Sequence, residues 1–360
     1  MSIRGLVVGL VAMTALNTGG AALAGDAAAA TRAGASACAA AGKIKYLCGL
    51  NNAEDMALAP GTSTMVVSGM SGAGGGAGKL YVVDAKKKTW KVAAPVMGGP
   101  ARAAYAGCAA PDMTKFAAHG LALRPGTGGV STLYAINHGG RESIEVFDLD
   151  TRGAEPVLTW TGCLMAPPGA SLNSLAPTPD GGLVVTKFNE LGDKDAFAKM
   201  TAGEKTGLAY KWTAKDGFKV VPGTMMPGAN GVEVTHDGRF LFVNAWPIKK
   251  VYRFNLVAIA ETPAWVAVDF LPDNLHWAPD GKLLVAGQRA DMKTLTSCKQ
   301  ARCPHGWTVL KLDPVTMKVK PVLNEAGTDA FSDATGALQV GGDLWVGTYR
   351  GDRMAYVAAK

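Results

Sequence analysis

The chain has 360 residues, 48% of them apolar and only 18% charged, with 46 Gly and 19 Pro scattered along its length. That balance excludes global disorder and leaves room for a large core made of many short elements joined by turns. The net charge of +7, or +6 once Arg4 leaves with the leader described next, comes without a long basic block or a basic helix, which argues against a nucleic-acid partner.

Arg4 is the only charge before an apolar run over 5–16, which is followed by small residues and Ala22-Leu23-Ala24. A short positive start, an apolar run and a small-x-small site predict a signal peptide over 1–24. The run is too short to span a bilayer, which takes roughly 20 residues. Residues 25–45 then read as an Ala/Gly-rich leader and 46–360 as one domain. No later stretch is apolar enough to cross a membrane, so a periplasmic or secreted protein is expected. Export permits disulfides, and the cysteines are even in number: Cys38, Cys48, Cys108, Cys163, Cys298 and Cys303. Proximity favours Cys38 with Cys48 and Cys298 with Cys303. That leaves Cys108 and Cys163, placed in loops feeding adjacent repeats. No Cys-x-x-Cys occurs, which argues against a zinc site.

A unit that opens on a polar residue and continues as alternating strands recurs six times. The openings read E-D-M-A-L-A-P from Glu54, H-G-L-A-L-R-P from His119, L-N-S-L-A-P around Asn173, A-N-G-V-E-V around Asn230, D-N-L-H-W-A from Asp273 and A-T-G-A-L-Q around Thr335. Their starts lie roughly 44 to 65 residues apart, near the 40–50 of a four-stranded propeller blade with loop insertions. Asp180-Gly181, Asp237-Gly238 and Asp280-Gly281 follow three of the openings, where two-residue hairpin turns with positive φ are expected. One helical turn is expected over 194–200. The fold class is therefore all-β, a six-bladed β-propeller.

The innermost strand of every blade lines the central channel. Glu54, His119, Asn173, Asn230, Asp273, Asn274 and Thr335 should thus converge near the axis, where a core would want aliphatic residues. Left unpaired, such groups cost roughly 1–3 kcal/mol each. A hard cation satisfies them: Ca2+ takes six to eight oxygen ligands in flexible geometry. A channel filled with water alone is the alternative.

The motifs H-G-L, N-H-G-G-R-E-S-I-E-V-F, L-N-S, A-N-G-V, P-D-N-L and a terminal L-W-V-G-T, in that order over 54–356, resemble the paraoxonase/arylesterase group and the related senescence-marker-protein/gluconolactonase propellers. The resemblance implies a calcium-dependent hydrolase of lactones and aryl esters. It implies Glu54, Asn173, Asn230, Asp273 and Asn274 as ligands of a catalytic calcium, and His119 with His138 as a general-base pair. It also implies a second, structural calcium. Asp55 matches one of that ion's ligands, but Ser174 stands where the family has an aspartate, which puts the second ion in doubt.

The remaining histidines read more plainly: His236 at a hairpin tip, His276 near the tunnel or packed, and His305 in a loop. Trp246 and Trp277 could border a pocket whose walls come from loops after the inner strands, including 108–115, 163–171 and 291–307. A serine nucleophile elbow is absent, because G-M-S-G-A fails at Ala73 and G-A-S-L-N at Asn173. The Gly-rich stretch 72–78 lacks the ending of a phosphate loop. Two other functions compete, a gluconolactonase-type sugar lactonase without the histidine pair and a non-catalytic propeller that binds a small molecule.

Overall fold

Runs such as Thr64–Gly69 (TMVVSG) and Phe240–Ala245 (FLFVNA) are buried along nearly their whole length. A short continuous apolar run of this kind needs cover on both faces, as a strand between two packed sheets has. The computed structural model describes residues 38–71, 78–298 and 303–359. In it the compact unit spanning 40–360 is built from 24 strands in six antiparallel four-stranded sheets. It is a six-bladed β-propeller, as the repeat predicts. The signal segment and most of the leader lie outside the described residues, as does most of the 72–78 tract.

Blades 1 to 5 each use four consecutive strands, over 53–92, 118–165, 170–220, 229–267 and 271–325. Blade 6 takes three strands from the C-terminal end and closes with Lys45–Cys48 on its outer edge, where Tyr46 pairs with Ala355. Ring closure leaves few free edges. The closing strand starts at Lys45, and Ile44 is already buried.

Cores lie between neighbouring blades. On one face of blade 1, Val66 and Leu80 pack against Leu121, Phe147 and Trp160 of blade 2. On the other, Val67 and Tyr81 pack against Trp345 and Met354 of blade 6. Truncating a fully buried aromatic such as Trp345 or Phe147 costs about 3–5 kcal/mol.

Several local expectations need correction. The Asp-Gly turns are not two-residue loops with paired positive φ. Gly181, Gly238 and Gly281 have φ of 86°, 72° and 74°, while the aspartates stay out of that region. Gly181 N–H instead donates to Thr178 (3.1 Å) and Thr178 N–H to Gly182 (2.9 Å), so glycine alone turns the chain. The expected helical turn is α1 (Ala196–Thr201), and a second helix, α2 (Met292–Ser297), is capped by the Asp291 carboxylate accepting from Thr294 N–H at 2.6 Å. Cys163 lies in the outer strand of blade 2 (Val157–Met165), not in a loop.

Cys108 is disulfide-bonded to Cys163 and Cys298 to Cys303, while Cys38 and Cys48 are disulfide-bonded as well. The Cys108–Cys163 bridge pins the long connection between blades 1 and 2 to the rim of blade 2. Its 55-residue separation corresponds to roughly 4 kcal/mol of lost unfolded-state entropy. No helix among the described residues is long and apolar enough to cross a membrane.

Candidate metal and catalytic site

All six inner strands break register at the same place. Two residues of the inner strand face one on its partner at 54–55, 119–120, 173–174, 230–231, 273–274 and 335–336. Such a bulge bends the strand and re-aims its side chains. The first bulged residue of every blade is the polar residue that opens each repeat. Glu54, Asn173, Asn230, Asp273, Asn274 and Thr335 are all buried.

Their hydrogen bonds are incomplete in a consistent way. Asn274 Nδ2 donates to Glu54 Oε1 at 2.8 Å, and Gln288 Nε2 donates to Asp273 Oδ2 at 2.7 Å. Glu54 Oε2, Asn173 Oδ1 and Asn230 Oδ1 are buried with no hydrogen-bond partner. Each would cost free energy if left so. These orphans are all oxygen acceptors, the complement of a hard cation. Burial, reinforced by Asp55 and Asp273, pushes the Glu54 carboxyl well above the usual carboxylate range. Burial likewise pushes Asp273 up to about 7, against hydrogen bonds from Gln288 and Asn230. Two buried acids that resist ionising alone become favourable ligands once a cation compensates them. The residues fit one calcium ion.

Beside the ring stands a line of three side chains. His119 Nδ1 lies 2.8 Å from His138 Nε2, and His138 Nδ1 lies 2.8 Å from Glu142 Oε2. At the inner end His119 Nε2 is 3.6 Å from Glu54 Oε2. Burial, with His138 adding to it, holds the His119 pKa well below 6.5, so this imidazole is neutral at neutral pH. Glu142 is not among the residues the sequence singles out. Its only sequence signal is a carboxylate four residues after His138 in N-H-G-G-R-E.

The residues matched to a second calcium already have partners within the protein. Asp55 Oδ1 is 2.8 Å from His276 Nε2 and also accepts Met56 N–H at 2.8 Å, while Asp55 Oδ2 accepts Leu121 N–H at 2.8 Å. Ser174 Oγ accepts Val232 N–H at 3.3 Å. Burial opposes charge on His276, but Asp55 outweighs it and raises the imidazole pKa. A side chain of this protein already engages the one carboxylate that remains. Metal analysis of calcium-saturated, dialysed protein is accordingly expected to give one ion per chain; a firm count of two would overturn this.

Trp246 reaches the ring indirectly, through Nε1 donating to Gln288 Oε1 at 2.9 Å. Trp277 does not. It borders a cavity of about 650 Å3 at the opposite mouth, with His276, Glu233 and Arg124. His236 packs its ring against Trp277 at that mouth. His305 pairs with buried Asp333 at 2.7 Å near Cys303, but Cys303 is disulfide-bonded and offers no thiolate. Pocket walls also sit differently from expectation. The bulges are near the starts of the inner strands, so the ring faces loops that precede those strands, such as 108–115 and 166–169. Loops joining second to third strands, such as 138–142 and the described stretch 290–298, border the same end. The loops that follow the inner strands line the other mouth.

No family model and no curated protein sequence matches the chain. Solved structures do match in fold. A luciferin-regenerating enzyme aligns with 13% identity and a TM-score of 0.56, covering 88% of this chain and 95% of that one. A protein assigned as a gluconolactonase aligns with 14% identity and a TM-score of 0.54, covering 88% and 92%. A protein assigned as an oxidoreductase (glucose dehydrogenase) from Thermus thermophilus aligns with 16% identity and a TM-score of 0.50, covering 87% and 99%. At these identities the likeness is one of fold. It agrees with the gluconolactonase-like propeller that the sequence motifs resemble.

Proposed function

We propose that the protein is an exported, calcium-dependent hydrolase of lactones, with aryl esters as further substrates. The observation that carries this reading is that Glu54, Asn173 and Asn230, each in the bulge of an inner strand, carry a buried oxygen with no hydrogen-bond partner, and that a neutral histidine stands beside Glu54. Asp273 and Asn274 complete the proposed ligand set. The gluconolactonase-like neighbour supports the class of chemistry, and the disulfides support an oxidising compartment.

Bound in this ring, calcium supplies Lewis-acid polarisation of the ester carbonyl. The protein's own part is acid–base work and positioning. His119, kept neutral by burial, takes a proton from the attacking water at Nε2. Its Nδ1 is held by His138, which fixes the ring's orientation. Glu54 and Asp273 are anchored by Asn274 and Gln288, so the ring's carboxylates do not swing with substrate.

Hydrolysis of a lactone panel by the mature protein, before and after chelation, tests the reading. Activity lost with chelator and regained with calcium supports it. Calcium-saturated protein inert on lactones and esters overturns it in favour of a binding propeller. His119→Gln is expected to lower kcat by about 10²–10⁴-fold with calcium affinity nearly unchanged. Full turnover in that variant would favour the gluconolactonase-type reading, in which the histidine pair has no part.

A further inference from the structure

Glu142 joins two structures that the sequence keeps apart. Its Oε2 is 2.8 Å from His138 Nδ1, and its Oε1 accepts Leu172 N–H at 2.6 Å. Leu172 immediately precedes Asn173, the ring residue of blade 3. One carboxylate thus ties the outer histidine to the backbone that presents a ring oxygen.

The loop carrying Glu142 is fixed on both sides. Asn137 Oδ1 accepts Ala117 N–H and Gly139 N–H, each at 2.9 Å, and His138 N–H donates to Ala117 at 3.0 Å. Arg141 pairs with buried Glu145 at 2.7 Å. An added Cβ at Gly139 would run into the Lys115 carbonyl oxygen, so the loop can lie this close only with glycine there. Glu142 is therefore placed by scaffold contacts rather than by its own reach. Such support from a second layer of residues is what holds reactive groups in working geometry.

Donor and acceptor roles then follow along the line. A carboxylate that already accepts a backbone N–H is an acceptor for His138 as well, so His138 carries its proton on Nδ1. His138 Nε2 is left as an acceptor, and the donor facing it is His119 Nδ1, at 2.8 Å. His119 is then unprotonated at Nε2, the nitrogen nearest Glu54. We infer that Glu142 is a positioning residue that sets the tautomers of both histidines and so presents a bare His119 Nε2 to the ring.

The inference rests on the hydrolase reading for its catalytic meaning, but the tautomers do not depend on it. The experiment uses the full-length mature protein with calcium and 15N-labelled histidine. Long-range proton–nitrogen correlation spectra are recorded for wild type, Glu142→Gln and Glu142→Asp. Wild type is expected to show Nδ1–H on both histidines. In Glu142→Gln the introduced amide can instead donate to His138 Nδ1, which moves that proton to Nε2 and turns the line around, leaving His119 protonated at Nε2. On a lactone substrate, kcat of Glu142→Gln is expected to fall by about 10²–10⁴-fold, by analogy with a catalytic imidazole left in the wrong tautomer, with KM within a few-fold. Glu142→Asp should restore part of kcat and the wild-type tautomers. Nε2–H on His119 in wild type, or unchanged tautomers and kcat in Glu142→Gln, would overturn the inference. Expected tautomers in a protein that hydrolyses nothing would uphold the arrangement and sink the hydrolase reading instead.

Discussion

Exchange of Asp273 for asparagine is expected to weaken calcium binding by on the order of 10²-fold and turnover by about 10²–10³-fold, yet to stabilise the metal-free protein at neutral pH. The first part follows from charge. Asp273 and Glu54 are the carboxylates among the proposed ligands, and calcium affinity is tuned by how many charged ligands a site offers. Asparagine keeps the shape and an oxygen, and loses the charge.

The second part follows from what burial does to Asp273 without a cation. Its folded-state pKa is raised from 3.8 to about 7. The folded protein therefore holds this proton more tightly than the unfolded chain does. Stability is greatest below the unfolded value and falls as pH rises from 3.8 to about 7, where the carboxylate is forced to ionise. Glu54, also shifted upward by burial, adds to the same slope. Denaturant midpoints in chelator should drop between pH 3.8 and about 7 for wild type, level off above that, and drop less for Asp273→Asn. Calcium should stabilise wild type more at the alkaline end of that window than at the acid end. A chelated wild type equally stable at both ends, with no benefit from the substitution, would remove the basis for a charge-compensating ion.

Much of this could be read in the sequence because a propeller repeats. Once the openings at Glu54, His119, Asn173, Asn230, Asp273 and Thr335 are aligned, convergence on the axis follows from the architecture without any long-range contact being known. The means of convergence was hidden. A β-bulge has no residue signature of its own, and the bulges become visible only when each partner strand is in register. His276 and Gln288 were hidden for a related reason. Each meets its partner, Asp55 or Asp273, through side-chain direction, which a repeat pattern does not specify. Glu142 sits in a loop, where sequence rules are weakest. The turn at Asp180-Gly181 misled in a smaller way, since Asp-Gly also suits a longer turn in which glycine alone takes positive φ.

The bulges set a steric limit that yields a sharp comparison among three equivalent glycines. Gly120, Gly231 and Gly336 are the second bulged residues of blades 2, 4 and 6. None has positive φ, so replacement by alanine is judged on space alone. A Cβ on Gly231 would overlap the Asp273 carbonyl oxygen and sit 2.7 Å from Asn274 Cα. One on Gly120 would overlap the Asn173 carbonyl oxygen and sit 3.0 Å from Ser174 Cα. Both obstacles are backbone of the next blade's ring residues, which cannot rotate aside. At Gly336 the nearest atom, the Glu54 carbonyl oxygen, is 3.5 Å away, an ordinary contact. Gly231→Ala and Gly120→Ala are therefore expected to cost about 3 kcal/mol or more, the upper end for overpacking, and to weaken metal binding by displacing Asp273 or Asn173. Gly336→Ala should change stability by no more than about 1 kcal/mol, in the stabilising direction expected where the backbone accepts alanine without strain. Paired unfolding and calcium titrations decide it. If all three variants lose the same stability, the cost belongs to glycine in a bulge as such. If only the first two do, the ring is held by blades pressed together at their bulges, and the ligand oxygens are placed by backbone contact before any ion arrives.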